Sequence, residues 1–146
     1  MHIMVIGCGR VGAELAYRLF KRGHKVTVID RDASAFDILP HDFRGHTVQG
    51  EALAQGVLRR AGIEHADGLA AVTNSDAVNA VAGRVASTVY GVPSVVVRNY
   101  DPRWHPMHEV FGFQMVSSAT WDAQRLEQIL CPSDIQSVFT AGNGEV

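Results

Sequence analysis

Short apolar runs alternate with stretches of helical spacing along most of the chain. Ile3 to Ile6 is a β-rich run that stops at Gly7. Val11, Leu15 and Leu19 then recur every four residues, with Ala16 and Phe20 beside them, which predicts one helix face ended by Gly23. Val26 to Ile29 is the next apolar run and closes on Asp30, and a short helical piece around Ser34 to Leu39 stops at Pro40. Thr47-Val48-Gln49 predicts a third strand, Leu53, Val57 and Leu58 a helix ending near Gly62, and Leu69 to Val72 a fourth strand.

Ser75-Asp76 opens a long helix with Val78, Val81, Ala82 and Val85 inward and Gly91 as its stop. Val95-Val96-Val97 is a continuous apolar run of the kind buried on both faces of a sheet. The segment from Pro102 to Phe111 reads as helical after the proline, and Phe113 to Val116 as a sixth strand. A last helix from about Thr120 to Leu130 stops before Pro132, and the tail from Thr140 to Glu145 has no periodicity and is expected to fray. Strands separated by helices make βαβ units, whose right-handed crossovers build a parallel sheet covered on both faces. The expected fold is therefore a doubly wound parallel sheet, a Rossmann-like three-layer α/β/α domain. With 146 residues there is room for one domain, expected over residues 1–130, with 131–146 as a tail or the remnant of a crossover.

Composition narrows the function. Hydrophobic residues at 47% and charged residues at 19% are ordinary globular usage. Thirteen Lys and Arg against fifteen Asp and Glu give a net charge of -2, which argues against a nucleic-acid binder. No apolar run approaches the ~20 residues that span a bilayer, and no basic segment or small-residue cleavage site opens the chain. A cytoplasmic protein is expected. Two cysteines, Cys8 and Cys131, make no disulfide framework, and Cys8 reads as a small buried side chain.

Gly7-Cys8-Gly9-Arg10-Val11-Gly12 is a G-x-G-x-x-G set between a strand and an amphipathic helix, with Asp30 eighteen residues after Gly12 at the end of the next strand. In that context Gly7 permits the tight turn, Gly9 lets backbone approach a pyrophosphate, and Gly12 lets helix and strand pack closely. The helix N-terminus supplies N–H groups and partial positive charge to the phosphates. Asp30 is placed to accept both hydroxyls of an adenosine ribose, which favours NAD(H) or an adenine nucleotide over NADP(H). Arg31 pulls the other way, since an arginine there can serve a 2′-phosphate. Asp32 is open between a ribose contact and an N-cap. Thr73 and Asn74 follow the fourth strand and are candidates for phosphate or ribose. Asp76 and Asn79 either bind ligand or hold that loop, and Arg98 is either an anion partner or a surface charge.

The ordered set of Gly7 to Gly12, Val28-Ile29-Asp30-Arg31-Asp32, Gly50-Glu51-Ala52, Thr73-Asn74-Ser75-Asp76 with Asn79, and Val97-Arg98 resembles the nucleotide-binding domain of the regulator-of-potassium-conductance family, or Trk/Ktr N-terminal domain. Phe111-Gly112-Phe113 with Val116-Ser117-Ser118 resembles that family's last strand and the start of its crossover helix. The resemblance covers about residues 1–130. It implies a cytosolic regulatory domain that binds NAD(H), ATP, ADP or AMP, forms dimers or rings, and controls a potassium channel or transporter at the inner membrane. By position, it places Gly7, Gly9, Arg10 and Val11 at the phosphates, Asp30 and Arg31 at the ribose and adenine edge, Glu51 and Ala52 by the adenine, and Thr73 and Asn74 near the distal phosphate or second ribose. Glu51 stands where the family usually has Asp.

An enzyme is the competing reading, as the coenzyme-binding fragment of an NAD-dependent oxidoreductase. No residue pair announces acid–base or nucleophilic chemistry, and there is no G-x-x-x-x-G-K-[ST]. His105 and His108 with Glu109 look like part of a metal site but read better as a solvated helix face, and His41 and His46 as surface residues. No metal and no enzymatic activity are expected. The many large apolar residues between Trp104 and Leu130 predict a homodimer contact.

Overall fold

Each β-rich run becomes a strand in the computed structural model, which describes residues 1–101, 103, 106, 110 and 114–132. The strands are β1 (His2–Ile6), β2 (Lys25–Asp30), β3 (His46–Gln49), β4 (Gly68–Ala71), β5 (Ser94–Arg98) and β6 (Gln114–Val116). They form one sheet in the order β3-β2-β1-β4-β5-β6, every neighbouring pair parallel. The chain winds outward from β1 to β3, then returns to the other side of β1 for β4 to β6. The switch point lies between β1 and β4, where Ile6 pairs with Ala71. Clefts at the C-terminal ends of strands open at such a point.

Alternation along the strands feeds two cores. Met4, Ile6, Ile29, Leu69, Ala71, Val95 and Val97 pack in one cluster with Leu58 of α2 (Gln55–Arg60) and Ala82 and Ala86 of α3 (Asp76–Thr88). Val5, Val26, Val28, Ala70 and Val72 pack in the other with Ala13 and Ala16 of α1 (Arg10–Lys21). A short 3-10 helix over Ala33–Ile38, N-capped by Asp32, takes the place of the helical piece expected before Pro40. The chain divides into two compact units, Met1–Val116 and a second that begins at Ser117 and carries α4 (Ser118–Leu130).

Two helix faces differ from the pattern expected. On α1 the buried residues are Gly12, Ala13 and Ala16, while Val11 is 41% exposed. On α3 they are Asn79, Ala80, Ala82, Gly83 and Ala86, and Val81 faces outward. Helices packed this closely on a sheet admit small side chains at the contact and push branched ones to its flanks. Most of the helix expected after Pro102, the histidine pair His105 and His108, Phe113 and the tail from Thr140 lie outside the described residues.

Candidate functional site

The turn from β1 into α1 is built by two glycines that touch other backbone. Gly7 has φ +103, and a Cβ there would meet the Thr73 Cα and N at 3.0 Å. A Cβ on Gly12 would lie 1.8 Å from the Gly7 carbonyl oxygen. Gly9 is different, because a Cβ there would meet nothing within 4 Å. It is the N-cap of α1, and no side chain caps that helix. The first-turn N–H groups of α1 thus have no side-chain acceptor, and no acidic residue sits in the turn. α3, by contrast, is capped by the Ser75 hydroxyl, which accepts the Val78 N–H at 3.2 Å.

These elements wall one cleft of about 540 Å³. Of the residues predicted to bind a nucleotide, Gly7, Gly9, Arg10 and Val11 line its middle. Asp30, Arg31, Asp32, Glu51 and Ala52 line the part beside β2 and β3, and Thr73, Asn74 and Arg98 the part beside β4 and β5. Gly12 and Asp76 do not line it. Gly12 is the contact between α1 and the turn. The Asp76 carboxylate accepts the N–H groups of Tyr100 at 2.7 Å and Asp101 at 2.8 Å, so it holds the segment after β5.

The Asp30 carboxylate braces the turn as well as facing the cleft. One oxygen accepts the Cys8 N–H at 2.8 Å and the other the Asp32 N–H at 2.9 Å. A carboxylate has about four lone-pair sites, so two remain for hydroxyl donors. Asp32 is an N-cap: its side chain accepts the Ser34 N–H at 3.0 Å and hydroxyl at 2.7 Å, and those bonds hold its carboxyl below the usual range. Cys8 is buried as expected, and burial, with the Asp30 charge beside it, pushes its thiol up to about 11. Asn79 holds the loop. Fully buried, it accepts the Thr73 N–H at 2.9 Å and hydroxyl at 2.6 Å, and donates to the carbonyls of Thr73 and Arg98, both at 3.0 Å.

Several lining residues escape a motif search. Val78 and Ala35 reach the cleft through helix packing, and Tyr100 through the loop after β5. The signal for Tyr100 is its position two residues beyond Arg98, at the sheet edge where ligands bind. The Arg98 guanidinium carbon lies 4.3 Å from the centre of the Tyr100 ring.

Residues 3–119 match the TrkA-N domain. A Streptomyces coelicolor protein called Trk system potassium uptake protein TrkA is 41% identical over 146 residues, all of this chain and 66% of its own length. A protein of the same name from Halomonas elongata is 41% identical over 98 residues, 67% of this chain and 21% of its own. The chain thus spans about two thirds of the first relative and about a fifth of the second. Among solved structures, the GsuK channel bound to NAD aligns with TM-score 0.77 and 27% identity over 95% of this chain and 24% of its own. GsuK bound to ADP aligns with TM-score 0.78 and 27% identity over 90% of this chain and 34% of its own.

Proposed function

Because the chain belongs to the TrkA-N domain family, we propose that it is a cytosolic regulatory domain that binds NAD(H) or an adenine nucleotide and controls a potassium channel or transporter. The observation that carries this reading is the uncapped N-terminus of α1, which opens onto the cleft beside the unobstructed face of Gly9 and the Asp30 carboxylate. A helix start with unpaired N–H groups favours phosphate, and the two remaining acceptor sites of Asp30 suit ribose hydroxyls. Gly9, Arg10 and Val11 would hold the diphosphate, Asp30 the sugar, and Glu51 and Ala52 the base. Gly12 and Asp76 shape the site from behind. The relatives' names and the NAD- and ADP-bound channel structures support the same assignment.

The chemistry of the cleft favours binding over turnover. Cys8 is held as the thiol, which is the poorly nucleophilic form. A nucleotide would act by shifting the population of two arrangements of the assembly, in proportion to its differential affinity for them. Within its own unit α4 exposes Leu126, Ile129 and Leu130, a stripe at helical spacing that supports a homodimer. Light scattering that finds only a monomer at high micromolar concentration would remove the dimer from the proposal.

Thermal-shift titrations with NAD, NADH, ATP, ADP and AMP test the nucleotide assignment. A ligand at about 100 times its Kd should add roughly 2.7 kcal/mol of stability. Asp30→Asn should lose most of that gain, and the ligand-free variant should also be less stable by about 1 kcal/mol because an N–H brace is weakened. No stabilisation by any of the five would overturn the reading. Reduction of NAD to NADH with added alcohols or hydroxy acids would favour the oxidoreductase alternative.

A further inference from the structure

Tyr100 lines the cleft, yet the grip of the glycine turn and Asp30 does not use it. Its side chain is on the surface, with the residue 39% exposed. The backbone around it is fixed at four points. Asp76 accepts the N–H groups of Tyr100 and Asp101 at 2.7 and 2.8 Å, Asn99 donates its N–H to the Val116 carbonyl at 2.8 Å, and Asn79 holds the Arg98 carbonyl at 3.0 Å. The Arg98 guanidinium rests over the ring, 4.3 Å from its centre. A buried core does not need this ring, and its anchoring keeps a flat aromatic surface at one end of the cleft.

Its place in the sheet says what it meets. Asp30 ends β2 and Tyr100 follows β5, with β1 and β4 between them. Three strand spacings separate those ends, about 14 Å. A ligand with its sugar at Asp30 and its diphosphate on the glycine turn can offer Tyr100 only what lies beyond the second phosphate. ADP ends there. A dinucleotide continues with a second ribose and a second heteroaromatic ring.

We propose that Tyr100, positioned by Asp76 and backed by Arg98, is a stacking platform for the distal base of a dinucleotide. It is then the residue that separates dinucleotides from mononucleotides at this cleft. The inference rests on the nucleotide reading above.

Calorimetric titration of NAD and of ADP into the full chain and its variants tests it. Tyr100→Ala should weaken NAD by about tenfold, the scale of one lost base–aromatic stack, and leave ADP within about twofold. Tyr100→Phe should keep both affinities, since the ring face does the work and the hydroxyl does not. Asp76→Ala, which releases the Tyr100 backbone, should lower NAD selectively, and the NAD-to-ADP ratio distinguishes positioning from general loosening. Equal losses for NAD and ADP in Tyr100→Ala, or no loss for either, would overturn the platform while leaving the nucleotide site intact. Failure of the unaltered chain to bind NAD would overturn the platform, and failure to bind any of NAD, NADH, ATP, ADP and AMP would overturn both.

Discussion

Gly9 and Gly12 belong to one motif but do opposite things. A Cβ at Gly12 would be driven into the Gly7 carbonyl at 1.8 Å, and backbone cannot rotate away as a side chain can. Gly12→Ala should therefore cost about 3 kcal/mol in urea unfolding. Gly9 has open space where a Cβ would go, so Gly9→Ala should cost only about 0.5 kcal/mol, the difference between glycine and alanine at an N-cap. It should nevertheless abolish stabilisation by ADP, because the methyl occupies the phosphate approach. The two glycines were readable in the sequence as a motif with separate duties. What was not readable is which residues only frame the cleft. Asp76 looks like a site residue in sequence, since carboxylates at that sheet edge often bind ligands. It stands outside the cleft lining instead, where its carboxylate accepts the N–H groups of Tyr100 and Asp101, a contact across 24 and 25 residues that no local pattern contains.

Helix caps distinguish the two ends of the cleft. α1 starts at a glycine and leaves its first turn open, whereas α3 starts at Ser75, whose hydroxyl satisfies the Val78 N–H. Ser75→Ala should lower stability by about 1 kcal/mol, as cap removal typically does. Asn79→Ala should cost more, about 3 kcal/mol, because it strips partners from the Thr73 and Arg98 backbone in a fully buried place. Equilibrium urea denaturation measures both. Strands were legible because runs of valine and isoleucine mark them directly, and β5 was read to within a residue of Ser94–Arg98. Helix faces were less so. Counting large apolar residues put Val11 and Val81 inward, but the helices approach the sheet through alanine and glycine and turn those valines out. Val11 then becomes part of the cleft wall, a consequence of close packing rather than of hydrophobic pattern.

At the scale of the whole sheet, the two ends of the parallel strands carry different chemistry. The C-terminal ends hold the cleft. The N-terminal edge holds His2, whose ring Nε2 is 3.1 Å from the Thr27 hydroxyl and whose side chain sits against Gly62. Burial, then the Lys25 charge, lowers its pKa from 6.5; His46 adds to this, while the bond to the His65 backbone and the Asp67 charge oppose it. A base with a depressed folded-state pKa is protonated more readily when unfolded. Its contribution to stability is thus complete above about pH 6.5 and is lost as pH falls toward the folded-state value. The melting temperature should fall between pH 7.5 and 5.5, and less so in His2→Gln. An equal fall in both would assign the acid sensitivity to other groups. The doubly wound parallel sheet and the location of the cleft were legible because winding rules leave few topologies for six βαβ-linked strands. The wall formed by Tyr100 was not, because it depends on how the loop after β5 is tied to α3.

If the open first turn of α1 receives a diphosphate, the backbone amides there report on it directly. Titrating ADP into 15N-labelled protein should move the amide resonances of Arg10, Val11 and Gly12 saturably, with one dissociation constant shared among them. If ADP leaves those three amides in place, whether it shifts resonances elsewhere or none at all, the claim is contradicted.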